Sequence, residues 1–282
     1  MPGAPTQATD ANVLSRAAAN IWWLFVTLVR SPQHSRAADI GRAWAWRWIR
    51  LSFLVGLTIV ISMFFIDAAI IRLMPPRGSP ELWPVRLYTD LGNSRIFLVP
   101  LSAALMALLC WTAISARRIA NLVLASLAVR FAYILIAISL PGLFGKAVKG
   151  MIGRSRPFVG GEANAFYFLP FSFDVRFESF PSGHANTAFA AAFAIAAVWP
   201  QTRYVMWTYA VLMALSRIVL LAHHPSDVLG GAVVGVIGAM LVREWFAARR
   251  LGFLIAPHGN VVAFPGPSLR RLKRVVGRAS AP

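Results

Sequence analysis

The chain has 282 residues, of which 58% are hydrophobic and only 13% charged, and its mean hydropathy is +0.63. A water-soluble fold of this length is excluded, and several bilayer-crossing helices are required. The formal net charge of +18 gathers in the tails and in the loops between apolar runs, which suits anionic lipid headgroups, and no nucleic-acid-binding motif accompanies it.

The first residues lack the charged-then-apolar order of a cleaved signal peptide, so the first spanning helix is expected to serve as an uncleaved targeting signal. Val13 to Val29 carries Ile21-Trp22-Trp23-Leu24-Phe25-Val26 between Arg16 and Arg30, and an Arg/Trp-rich stretch follows from Arg42 to Arg50. Its short continuous apolar core favours an N-terminal interfacial amphipathic helix over a seventh span. Six spans are predicted after it: Leu51 to Ile71, Ile96 to Ser115, Leu122 to Phe144, Ala185 to Trp199, Tyr204 to Ala222 and Val228 to Trp245. The fourth is short unless its helix begins near Ser182. Gly231-x3-Gly235 in the sixth suits close helix packing inside the bundle. Asp67 and Arg130 lie within apolar runs and must face protein or water; they fall at different depths, so no direct pair and no catalytic role is expected for them. Cys110 is the only cysteine, which excludes an intrachain disulfide and a cysteine metal cluster.

The expected fold class is therefore all-α: a polytopic membrane protein of six transmembrane helices with an N-terminal interfacial amphipathic helix. Residues 1–50 are expected as a cytoplasmic or interfacial segment, 51–247 as the membrane domain, and 248–282 as a basic cytoplasmic tail, poorly ordered from Leu251. With both termini inside, the inner segments hold 17 Lys and Arg and the outer loops nine, which favours that orientation. It also brings three polar clusters to one outer face.

Those clusters are Lys149-Gly150-Met151-Ile152-Gly153-Arg154-Ser155-Arg156-Pro157, then Pro181-Ser182-Gly183-His184, then Ser216-Arg217 through His223-His224-Pro225-Ser226-Asp227. Lys149, Arg156 and Arg217 offer cations matched to phosphate oxygens. Ser182 or a neighbour should begin the fourth helix, where free amides bind anions and Gly183 lets a ligand approach the backbone, with His184 in the first turn. The fifth helix should end near His223 and the sixth start near Ser226 or Asp227, leaving Asp227 close enough to orient a histidine. His224 competes for that histidine's role; His223 is preferred because it follows Ser216 by about two helical turns. The clusters offer no carboxylate beyond Asp227 to bridge divalent ions, which argues for metal-free phosphoryl transfer without a cofactor.

In residue type, spacing and order these three stretches resemble the signature of the type 2 phosphatidic acid phosphatase family, which is similar to vanadium haloperoxidases. The resemblance covers Lys149 to Asp227. It implies a membrane lipid phosphate phosphatase in which His223 is the nucleophile, Asp227 its orienting partner and His184 the general acid, while Lys149, Arg156, Ser182, Gly183 and Arg217 hold the phosphate. The implied substrates are lipid phosphates: phosphatidic acid, phosphatidylglycerol phosphate, undecaprenyl pyrophosphate or lipid A. They would be hydrolysed through a phosphohistidine on the periplasmic side of a bacterial inner membrane. A phosphotransferase using the same histidine is the nearest rival, and a non-enzymatic lipid transporter a weaker one. The aromatic connection from Gly160 to Phe180 is expected to shape the headgroup entrance.

Overall fold

The structure, a computed structural model, describes residues 8–32, 50, 52–114, 118–256 and 260–266. The Arg/Trp-rich stretch at 42–49 and the basic end of the tail lie outside the described residues. In chain order the helices are α1 (Ala8–Val29), α2 (Ser52–Leu73), α3 (Trp83–Asp90), α4 (Ser94–Ile114), α5 (Arg118–Ile152), α6 (Gly183–Val198), α7 (Arg203–Val219) and α8 (Pro225–Ala248). Four helical stretches are long and apolar enough to cross a membrane: Ser52–Leu73, Pro80–Trp111, Asn121–Ile152 and Pro225–Ala248. The protein is thus a mostly helical, integral membrane protein. With 16 and 17 residues, α6 and α7 fall short of that length; at the α-helical rise they extend about 25 Å.

Contacts divide the chain into two units, residues 1–35, 99–135 and 243–282, and residues 36–98 and 136–242. In the first, Leu24 of α1 is buried with Leu105 and Leu109 of α4 and Ala128 and Ala132 of α5, while Trp22, Trp23 and Phe25 stay exposed. The same unit corrects two expectations for the tail. The chain is not purely helical, and the tail is not unstructured from residue 251. Strands β1 (Phe253–Ile255) and β2 (Val261–Ala263) pair antiparallel, with Phe253 opposite Ala263. The cause is burial: the Phe253 ring is 2% exposed and meets Tyr133 edge-on at 4.8 Å between centroids, with Phe246 on the same tyrosine at 5.4 Å. Arg130 is held here as well, donating to the Ser126 carbonyl at 2.9 Å and the Phe264 carbonyl at 2.9 Å.

In the second unit α6 forms the centre. Ala185, Ala188, Ala190, Ala191, Ala192 and Ala194 are all wholly buried, and so dense a run of small side chains lets neighbouring backbones approach closely. Gly231 and Gly235 of α8 use that approach. A Cβ on Gly231 would collide with the Ser182 carbonyl, and one on Gly235 would collide with the Asn186 carbonyl and stand 3.0 Å from the Ala190 amide. The two glycines therefore seat α8 against the first turns of α6. α5 runs beyond its apolar stretch to Ile152 and ends because Gly153, at φ +60°, turns left-handed and donates its amide to the Lys149 carbonyl at 2.9 Å.

Gly231→Ala should lower the thermal midpoint of the detergent-solubilised protein, overpacking at such a site costing about 1–3 kcal/mol. Gly56→Ala, where nothing lies within 4 Å of an added Cβ, should not. Equal behaviour of the two variants would refute the packing role, and differential scanning fluorimetry reads it.

Candidate active site

Each of the three clusters stands where a helix starts or stops. After Gly153 the chain from Arg154 to Arg156 is held on both sides by backbone bonds: Ser155 donates to Tyr167 O at 2.9 Å, Arg156 to Arg176 O at 2.9 Å, and Ser179 donates to Arg154 O at 3.0 Å. This fixes the arginines relative to the last turn of α5, where Lys149 Nζ donates to Glu178 O at 3.1 Å. Ser182 is the N-cap of α6 in extended conformation, yet its hydroxyl makes no cap bond. Its amide donates to Asp227 O at 2.9 Å, tying the second cluster to the third. α7 ends at Val219; Leu221 at φ +54° reverses the chain, and the Arg217 carbonyl accepts from Ala222 at 3.0 Å and His223 at 3.3 Å. α8 then opens with Pro225 at its first position and Asp227 at its third, whose Oδ2 accepts from the His224 amide at 2.8 Å. An acidic side chain reaching back to the cap amide is a capping-box arrangement.

The sequence-predicted residues come together. A Cβ placed on Gly183 would lie 3.8 Å from Lys149 Nζ, so the ammonium stands over the start of α6, where the first-turn amides have no intrahelical partner. Arg217 donates from Nη1 to Thr89 Oγ1 at 2.6 Å. The His184 ring packs over Gly92, where an added Cβ would be 2.8 Å from Cδ2. Among the described residues, the buried donors left without a partner include Arg156 Nε, Arg217 Nε and Ser182 Oγ of these clusters. Buried polar atoms are nearly always satisfied, so a set of orphaned donors among like charges is what an anion with several acceptor oxygens would complete. Arg77 adds to the crowding. It bridges Pro157 O at 3.0 Å and Leu221 O at 2.7 Å, and after burial its charge is the chief cause that lowers the Arg156 pKa.

His223 is 2% exposed. Burial, and next the Lys149 charge, push its pKa well below 6.5; Asp227 opposes the shift, and Arg217 and Arg156 reinforce it. The imidazole is consequently neutral at physiological pH, with a lone pair available. The expected direct bond between His223 and Asp227 is not formed: Nδ1 and Oδ2 are 3.9 Å apart, beyond hydrogen-bond reach. Ser179 stands between them. Its hydroxyl donates to Asp227 Oδ2 at 2.6 Å and lies 3.4 Å from His223 Nδ1, which leaves Nε2 as the ring atom with the free lone pair. His224 is nearer the carboxylate, with Nδ1 at 3.3 Å, but it is wholly buried and its Nε2 has no partner.

Sequence reasoning missed four residues here. Asp67, for which no catalytic role was expected, is paired with Arg154 at 2.7 Å, and Arg154 in turn with Asp227 at 2.5 Å. Ser226 and Ser179 complete the hydrogen bonding around them. The available signal was a carboxylate in an apolar run and an unused arginine inside the first cluster. Among the described residues no group of three or more His, Cys, Asp or Glu side chains is placed to hold a metal ion.

Membrane-length helices around a buried, cation-rich cluster with two histidines define the class. The chain belongs to the PAP2 superfamily, whose sequence profile matches residues 128–251. It is 38% identical to the lipid A 1-phosphatase of Rhizobium johnstonii over 130 residues, 45% of this chain and 52% of that protein. It is also 38% identical to that of Rhizobium etli over 130 residues, 55% of that protein. The chain thus spans about half the length of these curated relatives. The putative undecaprenyl-diphosphatase YbjG of Escherichia coli is 30% identical over 169 residues, 58% of this chain and 74% of that protein. No solved structure matches the chain significantly.

Because the folded state holds His223 neutral below the 6.5 of an unfolded histidine, the native protein binds fewer protons than the unfolded chain in that interval. Stability therefore falls as pH drops from 6.5, by up to about 1.4 kcal/mol per pH unit from this group. In His223→Gln the thermal midpoint should decline less between pH 6.5 and 5 than in the wild type. Parallel declines would contradict the buried neutral imidazole.

Proposed function

We propose that the protein is a membrane lipid phosphate phosphatase that hydrolyses a lipid phosphomonoester or pyrophosphate through a phosphohistidine. The observation that carries this reading is the convergence of orphaned donors on Arg156, Arg217 and Ser182, with Lys149 over the start of α6, around a neutral, buried His223. The names of the relatives support testing lipid A first and undecaprenyl diphosphate next as substrates. Phosphatidic acid and phosphatidylglycerol phosphate share the same headgroup chemistry.

In this mechanism Lys149, Arg156, Arg217, the Ser182 hydroxyl and the first-turn amides from Gly183 hold the phosphoryl oxygens. Phosphoryl transfer spreads charge over those oxygens, so positioning and electrostatic clamping carry most of the rate. His223 Nε2 attacks phosphorus in line and the bond from phosphorus to the lipid oxygen breaks. The bound phosphate's negative charge offsets the cations around His184 and lets its ring hold a proton, which it gives to the departing oxygen. Water then attacks the phosphohistidine, His184 takes a proton from it, and inorganic phosphate leaves with His223 restored. Asp227 orients His223 through Ser179 and stabilises the cationic ring. The reaction is read as metal-independent: Asp227 is the single carboxylate of the three clusters, and Arg154 and Ser179 already engage it.

The membrane arrangement belongs to the same proposal. α6 and α7 serve as the fourth and fifth of six spans, α1 lies at the interface ahead of them, and both termini are cytoplasmic. Residues 51–247 make the catalytic domain, with 1–50 and 248–282 as flanking segments. The 17-to-nine excess of Lys and Arg in the inner segments supports this orientation. The site then opens on the periplasmic side of a bacterial inner membrane, where lipid-linked phosphates present their headgroups.

Purified protein in detergent with EDTA, offered lipid A, undecaprenyl diphosphate and phosphatidic acid, should release inorganic phosphate from at least one of them. His223→Ala should remove at least about a thousandfold of that rate. A newly phosphorylated lipid in place of free phosphate would instead favour a phosphotransferase. Retention of activity within about tenfold in His223→Ala would remove the nucleophile, and with it the mechanism.

A further inference from the structure

Asp67 lies in an otherwise apolar membrane helix and follows directly on a π-helical stretch, Ser62–Ile66. Single π-helical turns of this kind are frequent at functional sites. The Asp67 side chain is wholly buried, and its oxygens accept from four groups: Ser62 Oγ at 3.1 Å, the Ser226 amide at 2.9 Å, Ser226 Oγ at 2.5 Å and Arg154 Nη2 at 2.7 Å. Arg154, 1% exposed, also donates to Ala165 O at 3.0 Å, Ser226 Oγ at 2.6 Å and Asp227 Oδ1 at 2.5 Å. One guanidinium is thus clamped between two carboxylates.

A single buried carboxylate would satisfy the charge of Arg154. A second one in a lipid-length helix adds a desolvation cost without need, and ionisable groups kept at such places usually serve function. The need becomes apparent at His223. When Nε2 bonds to phosphorus the ring becomes cationic, and its Nδ1 side faces Ser179 and, behind it, Asp227. Alone with Arg154, Asp227 would form a neutral pair and offer that cation little. With Asp67 present, the trio carries one net negative charge.

We propose that Asp67 is a positioning residue of the phosphoryl-transfer site: acting through Arg154, it keeps the buried carboxylate cluster net negative behind His223 and, by accepting the Ser226 amide, fixes the start of α8. This rests on the reading of His223 as nucleophile. The ring is neutral in the ground state and cationic in the transition state, so the interaction strengthens on the way to the transition state and acts on kcat, with substrate affinity left to the cation cradle.

The test compares wild type, His223→Ala, Asp67→Asn, Asp67→Glu and the double variant Asp67→Asn/Arg154→Gln, assayed for phosphate release from whichever of lipid A, undecaprenyl diphosphate or phosphatidic acid the wild type hydrolyses. Asp67→Asn removes charge at constant shape and should lower kcat by about 10- to 100-fold with KM within about twofold. Asp67→Glu should keep kcat within about tenfold of wild type. The double variant restores the net negative charge and should exceed Asp67→Asn by at least about fivefold, where a merely structural role would make it worse. Wild-type kcat in Asp67→Asn, or no recovery in the double variant, overturns the inference. Should Asp67→Asn not survive extraction, the double variant decides: a kcat within about 100-fold of wild type supports the role and a lower one contradicts it. An inactive wild type would bring down the phosphatase reading and this inference together. An active wild type with a dead His223→Ala and a fully active Asp67→Asn would bring down this inference alone.

Discussion

The guanidinium of Arg154, held by Asp67 on one side and Asp227 on the other, is the interaction on which the site is built. It joins α2, the chain that leaves α5, and the first turn of α8. Removing one member alone shifts the net charge of this buried cluster, at a cost of about 3–5 kcal/mol. The loops that carry Lys149 and Arg156 are therefore tied to those that carry His223. The backbone of Asp227 extends the tie by accepting the Ser182 amide, so the anion-facing start of α6 is registered against the same point. Glycine packing of α8 on α6 then makes the arrangement rigid.

On that frame the protein assembles cations that repel one another. Lys149, Arg156 and Arg217 crowd a buried volume and, after burial itself, depress the basicity of His223 against the opposing charge of Asp227. Asp227 is turned away from them, engaged by Arg154, Ser179 and the His224 amide. Such a site gains most from a multiply charged anion, and the apolar helices around it favour one that arrives on a lipid. Charge separation within the site follows from this division: positive in front of the imidazole, net negative behind it.

Much of this was legible in the sequence because charged residues are scarce in it. In a chain with so few polar groups, three clusters at the ends of apolar runs stand out, and Ser182-Gly183 marks the start of the helix that bears one of them. α6 starts at Gly183 after Ser182 as expected, whereas α8 starts at Pro225, just ahead of the expected Ser226 or Asp227, and α7 ends at Val219, short of the expected His223. The end of α5 also differs. Hydropathy fades at Phe144, whereas the helix continues to Ile152 because its backbone bonds persist while Lys146 and Lys149 ride on its last turns. Two three-residue strands carry too little periodicity to be seen, although burial of Phe253 holds them in place.

The partnership of Asp67 and Arg154 was invisible for a different reason. Periodicity tells which residues share a face, but not which polar group meets another 87 residues away. The same applies to Ser179, a loop residue that takes the place expected for a direct contact between His223 and Asp227. The central claim is that His223 becomes covalently phosphorylated. Rapid quenching of the wild type with phosphorus-32-labelled lipid substrate tests it most directly. Acid-labile, base-stable label that maps by peptide sequencing to His223, and is absent in His223→Ala, is the expected result. Turnover without any label on the protein, or label on another residue, would contradict it.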